Sequence, residues 1–208
     1  MIFGLMSFAL GLGAESGDSG PRVQSPLDAF SPEERAGLLQ GNAIYKSALS
    51  SEPDVPTKGC GTAAVLINAG VEQCFQMFCD FEKQRLYFPR MTESKVLSAE
   101  GSTVKIYKEL DYGVFIARYT HLLAIDLADH RVDFKTDPEG KNDVKYSAGF
   151  FRFQKVDEHQ TLFSYGLVKF DAGFRVPAFI QNYMTSRDLP AMAADLKKWI
   201  ESNGQWKK

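Results

Sequence analysis

Two residues apart in the stretch Phe115–Ile125, Tyr119 and His121 share one face of a predicted β-strand, while Arg118 falls on the other. An imidazole that titrates near neutrality beside a phenol is the equipment of general acid–base chemistry. A strand histidine more often serves structure than proton transfer, so His121 marks where acid–base work would be done if the chain does any. His130 and His159 fall in turns. Arg90, Arg118 and Arg152 could pair with an acidic ligand or a buried carboxylate, or stand on solvated strand faces. Asp80 reads as the residue that ends a helix. No serine sits in a nucleophile-elbow pattern. The three cysteines and three histidines have neither nucleophilic-pair nor metal-ligand spacing. Gly11-Leu12-Gly13 lacks the strand–turn–helix setting of a phosphate loop. No metal and no cofactor is expected.

The 208 residues, 44% hydrophobic and 12% aromatic, suffice for one well-buried domain with an N-terminal extension. A net charge of −2 and a pI near 6.0 leave no basic footprint for phosphates, so nucleic acid is not an expected partner. No run reaches the roughly 18 to 20 apolar residues of a membrane-spanning helix, so membrane contact, if made, is transient. Ile2–Ala14 is apolar like the core of an export signal, but no Lys or Arg precedes it. It reads either as a signal truncated at its start or as a tail, with export to the periplasm or outside favoured over the cytoplasm. Cys60, Cys74 and Cys79 are too few for a disulfide framework. They read as buried small hydrophobes, with a bridge from Cys60 to one of the others as the alternative. Oligomeric state is not readable.

Four stretches divide the chain: 1–30, the apolar segment and a flexible linker (Glu15–Phe30); 31–58, a short helix and edge segment; 59–203, the main domain; and 204–208, a tail. Ser31-Pro32-Glu33-Glu34 has the form of a capping box opening a helix to about Gln40, where Gly41 stops it. Ala43–Leu49 reads as an edge strand, followed by a loop with Pro53 and Pro56. Thr62–Ile67 is a strand, Ala69–Phe81 a helix, and Glu82–Tyr87 a second short helix ended by Pro89. Six strands follow: Thr92–Ser98, Thr103–Tyr112, Phe115–Ile125, Arg131–Thr136, Val144–Lys155 and Thr161–Phe170. In Thr103–Tyr112, Val104, Ile106, Leu110 and Tyr112 share one face, against Lys105, Tyr107, Glu109 and Asp111 on the other. Val176–Ser202 then takes helical spacing, long enough at ~1.5 Å per residue to span roughly 40 Å.

That order resembles the helix-grip fold of the START-like (SRPBCC) superfamily, which includes Bet v 1 allergen-type proteins, polyketide cyclases and coenzyme Q-binding proteins. The likeness covers about Gly59–Asn203. Its carriers are Val65-Leu66-Ile67-Asn68-Ala69-Gly70-Val71-Glu72, Asp80-Phe81 with Tyr87-Phe88-Pro89-Arg90-Met91, Gly149-Phe150-Phe151-Arg152-Phe153 with Thr161-Leu162-Phe163-Ser164-Tyr165, and Arg175-Val176-Pro177-Ala178-Phe179. The resemblance implies an α+β fold, a curved antiparallel sheet (order β-α-α-β6-α) wrapped around a long C-terminal helix, with a cavity between them. Residues expected to line that cavity are Phe88, Met91, Tyr112, Tyr119, Phe134, Tyr146, Phe150, Phe163, Tyr165, Phe179 and Tyr183. Any one aromatic fills a core as readily, but 16 Phe and a cluster of Tyr together point to a partly open apolar cavity with a few polar tips.

The function so implied is binding or transport of a hydrophobic small molecule: a lipid, isoprenoid, quinone or polyketide. A cyclase- or dehydratase-type enzyme using cavity Tyr and His residues is one alternative, and a protein- or membrane-interaction module another. Pro190 lies inside the closing helix, where it would forfeit a backbone bond, so a kink or break is expected between Ser186 and Pro190, with Ser186 or Asp188 capping a restart. Val176–Met184 would then face the cavity mouth as a gate while Met192–Ile200 anchors the sheet.

Overall fold

Period-two alternation builds the frame of the protein. A computed structural model, describing residues 25–47, 60–173 and 186–208, contains β1 (Ile44–Ser47), β2 (Gly61–Ile67), β3 (Met91–Glu100), β4 (Thr103–Asp111), β5 (Ile116–Asp126), β6 (Arg131–Thr136), β7 (Tyr146–Lys155) and β8 (Thr161–Asp171). They form one curved antiparallel sheet in the order β1-β2-β8-β7-β6-β5-β4-β3. The edge strand of the 31–58 stretch is therefore part of the same sheet, Ile44 lying opposite Ala64. On β5 and β6 the inward set is Ala117, Tyr119, His121 and Leu123, then Val132, Phe134 and Thr136, all buried.

Three α-helices complete the described fold: α1 (Pro32–Leu39), α2 (Val71–Cys79) and α3 (Asp188–Glu201). The capping box of α1 is formed, with Ser31 Oγ accepting from Glu34 N–H and the Glu34 carboxylate accepting from Ser31 N–H at 2.8 Å. Its Leu38 joins Leu27, Ala64, Leu66 and Leu162 in a small core on the outer face, which is why β2 is buried on both sides. The expected linker Glu15–Phe30 is structured at its end: Pro26–Ala29 is a 3₁₀ turn closed by a Ser25/Asp28 capping box, and Leu27 is buried. The missed signal is the same Ser-Pro-x-acid spacing that marks α1, outweighed by the Gly/Ser/Pro composition before it.

Between the inner face and α2, Phe78 is surrounded by Phe81, Phe151, Phe153 and Phe163, with ring centroids 4.8 to 6.2 Å away. The second short helix is a 3₁₀ segment, Phe81–Leu86, rather than an α-helix. All three cysteines are free: burial pushes the Cys74 thiol up to about 11 and that of Cys79 to about 12, leaving both unreactive at neutral pH. The sequence-expected disulfide alternative is not formed.

Helix α3 buries Leu189, Met192, Ala193, Leu196, Trp199 and Ile200, the one-sided spacing of a helix laid on a sheet, and packs mainly on β2. Ser186 and Arg187 wind more widely, with i→i+5 geometry, and regular α-helix begins at Asp188. Pro190 follows directly on this wider turn, and an i→i+5 turn is one way a helix accommodates a residue that has no amide to donate. Asp188 does not cap a restart, since its carboxylate is bound to Tyr112 and Arg90. The Val176–Met184 half lies outside the described residues.

Candidate functional site

A cavity of about 60 Å³ lies between the inner sheet face and the start of α3. Its wall is mostly apolar, with Phe88, Leu110, Phe134, Leu167, Phe170 and Leu189 carrying it, and Tyr112, Tyr119, Tyr165, His121, Ser147 and Asp188 supplying polar atoms. Glycine makes part of this shape. A Cβ on Gly149 would meet the Gly166 carbonyl oxygen of the next strand and come within 2.7 Å of Phe134, so only glycine lets the Phe134 ring lie where it forms the wall.

His121 points inward, and its Nε2 lies 2.8 Å from Ser147 Oγ. Ser147 in turn meets Thr136, whose Oγ1 accepts from Ser147 N–H at 2.8 Å and lies 3.1 Å from Ser147 Oγ. The other imidazole nitrogen, Nδ1, is buried without a partner. Burial, aided by the nearby Lys108 amine, pushes the imidazole well below its ordinary value and keeps it neutral. No carboxylate orients it: its polar partner is a serine, and its rings of contact are Tyr119 at 4.7 Å and Phe134 at 5.0 Å. The Tyr119 and Tyr165 hydroxyls have no hydrogen-bond partner among the described residues, and burial raises both phenols far above the usual tyrosine range.

Lys108 is the group that sequence reasoning missed. It follows Val104 and Ile106 at the same two-residue spacing and so belongs to the inward face of β4, where it is 2% exposed. Reading that face as purely apolar passed over the one lysine in its alternation, which was the available signal. Its Nζ stands 5.3 Å from the Phe88 ring centroid, and burial brings the amine down to about 7. Lys105, on the outer face of the same strand, pairs with Asp137 at 2.9 Å.

This burial has a consequence for stability. Between pH 7 and the ordinary lysine range the unfolded chain binds a proton at this position that the folded chain does not, so Lys108 makes stability rise with pH, by up to ~1.4 kcal/mol per pH unit. Above pH ~8 other groups add to this, Lys208, lowered to about 8, in the same sense and the raised Cys74 and Cys79 thiols in the opposite one, while the buried tyrosines oppose it only above pH ~10. Denaturant unfolding of the wild type between pH 7 and 8 is expected to show that rise, and Lys108→Met is expected to lack most of it. Equal slopes for the two proteins would place Lys108 in contact with solvent.

At the mouth, Tyr112 donates to Asp188 at 2.9 Å, and Arg90 Nε donates to the same carboxylate at 3.3 Å while its guanidinium lies 5.1 Å from the Tyr112 ring centroid. Burial raises the Asp188 carboxyl against the lowering influence of both partners. Arg90 has φ +60°, a left-handed conformation that costs on the order of 1 kcal/mol outside glycine. The Pro89-Arg90 corner thereby leaves Phe88 and Pro89 in the cavity wall and Arg90 against Asp188.

Of the eleven residues expected to line the cavity, Phe88, Tyr112, Tyr119, Phe134 and Tyr165 do so. Met91 and Phe163 are core residues instead, 2% and 0% exposed, Phe163 being packed among Phe78, Phe151 and Phe153. Tyr146 and Phe150 fall on the outer face, because β7 alternates with Ser147, Gly149 and Phe151 inward, and they line an open groove of about 600 Å³ there. Phe179 and Tyr183 lie outside the described residues. Arg118 is outward and bound to Glu109 at 3.0 Å, Asp80 ends α2 and pairs with Lys83 at 2.6 Å, and His130 meets Glu72 at 2.8 Å. Among the described residues, no three His, Cys, Asp or Glu side chains form a metal-holding cluster.

No family model and no curated protein matches the sequence. Solved structures do match it in shape. A STAR-related lipid transfer protein fragment from Xanthomonas axonopodis superposes with a TM-score of 0.59 at 14% identity, covering 75% of this chain and 98% of that one. The chain has the START-like helix-grip fold. A START superfamily protein from Mycobacterium smegmatis (TM-score 0.57, 14% identity, 78% and 99% covered) shares this fold. So does the Zhui aromatase/cyclase from a Streptomyces species (0.53, 13%, 78% and 99%). In the START-like frame of this chain the cavity sits where sheet and C-terminal helix meet, and its lining is the part that differs from a plain apolar core.

Proposed function

We propose that this chain binds a hydrophobic small molecule with an oxygen-bearing end in the cavity under α3. The carrying observation is an aromatic wall that contains two phenol hydroxyls without hydrogen-bond partners among the described residues. Buried polar groups are normally satisfied, so an apolar wall with unmatched donors fits a guest that supplies acceptors. Apolar burial would give the affinity, at ~25 cal/mol per Å², and the phenols the orientation. The cavity of about 60 Å³ is far below the roughly 300 Å³ at which drug-sized sites begin, so a guest of lipid size must move wall side chains aside. Phe88, held at the strained Pro89-Arg90 corner, is one such group. The named work of two structural neighbours, lipid transfer and aromatase/cyclase chemistry, supports an apolar guest.

Native mass spectrometry of the purified protein, with analysis of its organic extract, is expected to reveal a bound apolar molecule, and a fluorescent fatty-chain probe is expected to bind at micromolar concentration. The absence of both a co-purified apolar molecule and probe binding would end this reading. The enzyme reading draws on the inward His121, but an imidazole held so far below neutrality, with no carboxylate behind it, is a weak base.

A further inference from the structure

We propose that the guest of this cavity is an amphipathic acid, its carboxylate held by Lys108 and its chain by the aromatic wall; this rests on the ligand-binding reading above. Lys108 lies directly behind the cavity wall. Tyr119 is its direct cross-strand partner, Leu110 is next on its own face, and the Phe88 ring lies under its Nζ, and all three are wall residues. On its other side β3 presents Ser94, buried and uncharged. The remaining titratable groups of the cavity lining are Tyr112, which follows β4, His121 of β5, Tyr165 of β8 and Asp188 of α3. Asp188, the carboxylate of the wall, is bound by Arg90 and Tyr112. Among the described residues, none provides Lys108 with an ion pair, whereas Lys105 on the solvent side of the same strand has one.

Burying an ammonium without a counter-charge costs several kcal/mol, and a methionine would fill the same space without that cost. A partner that the protein alone lacks accounts for the amine. The neighbouring donors specify its chemistry. Lys108 offers N–H donors and Tyr119 and Tyr165 offer O–H donors, while a carboxylate has two oxygens with about four acceptor positions and one negative charge. An alcohol or ketone would satisfy one donor and leave the amine uncompensated. The four-carbon stem of lysine lets Nζ swing past the Phe88 ring toward the cavity without moving the backbone.

The test compares decanoate with 1-decanol, two probes with the same chain and different heads, by calorimetry on the full-length protein at pH 7. Wild type is expected to bind decanoate at least tenfold more tightly than decanol. In Lys108→Met and in Lys108→Gln, each verified as folded by its thermal transition, the ratio is expected to fall to about one. A wild-type ratio near one, or a preference for decanoate that persists in both variants, would overturn the proposal while leaving the ligand-binding reading standing. Failure of both probes together with the fluorescent probe would remove that reading, and this inference with it.

Discussion

Phe151→Ala is expected to lower stability by ~3–5 kcal/mol and the melting temperature by roughly 10 °C or more. Phe151 is 3% exposed, and its ring lies 4.8 Å from Phe78, 4.6 Å from Tyr165 and 5.1 Å from Phe134, with Phe163 stacked at 6.5 Å. It therefore joins the α2 core to the cavity wall. Deleting the ring removes its own transfer energy and leaves a void, because close-packed neighbours relax only in part. Tyr165 and Phe134 lose their backing together, so the cavity should widen and binding of the fluorescent fatty-chain probe should change along with stability. The adjacent Phe150 points outward, over Gly166 and 4.7 Å from the Arg131 guanidinium, and is only half-buried. Phe150→Ala should cost well under half as much. Thermal melts of the two variants check the pair. Equal losses would mean that the face assignment of β7 is wrong.

Gly149→Ala should be nearly as damaging although it adds a single carbon, at about 3 kcal/mol, the upper end of what overpacking costs. The new Cβ would be driven against the Gly166 carbonyl, a backbone atom fixed by the β7–β8 ladder, and against Phe134 at 2.7 Å. A flexible side chain could swing away; a paired strand cannot. The easier relaxation pushes Phe134 into the cavity, so the stability loss should come with weaker probe binding. A fully stable Gly149→Ala protein would show that β7 and β8 lie farther apart than described.

These two positions also show what was legible beforehand. The Gly-x-x-Arg strand around Gly149 is part of the pattern that resembles the START-like superfamily, and fold and strand order follow from such patterns because alternation and turn residues are local properties. The capping box at Ser31 was equally readable, being a contact between residues three apart. Which aromatics line the cavity was not. Phe150 and Phe151 are adjacent in a strand rich in apolar residues on both faces, and a one-residue choice of phase exchanges wall for surface. Strand pairing sets that phase, by placing Phe151 opposite the inward Val132 of β6 and the inward Tyr165 of β8.

By itself the sequence determined the α+β class, the run of six strands after two helical segments, the closing helix with its buried stripe, and the absence of a basic nucleic-acid footprint, all from periodicity, caps and charge. Only the tertiary structure decided that Phe163 and Met91 are core, that Tyr146 and Phe150 face outward, that Pro190 follows a widened helical turn, and that Lys108 is enclosed beside His121 without a counter-charge among the described residues. The physical reason is the same in each case. Burial and hydrogen-bond partners depend on residues distant in the chain, such as Gly166 opposite Phe150 or Asp188 against Tyr112, which no local pattern specifies.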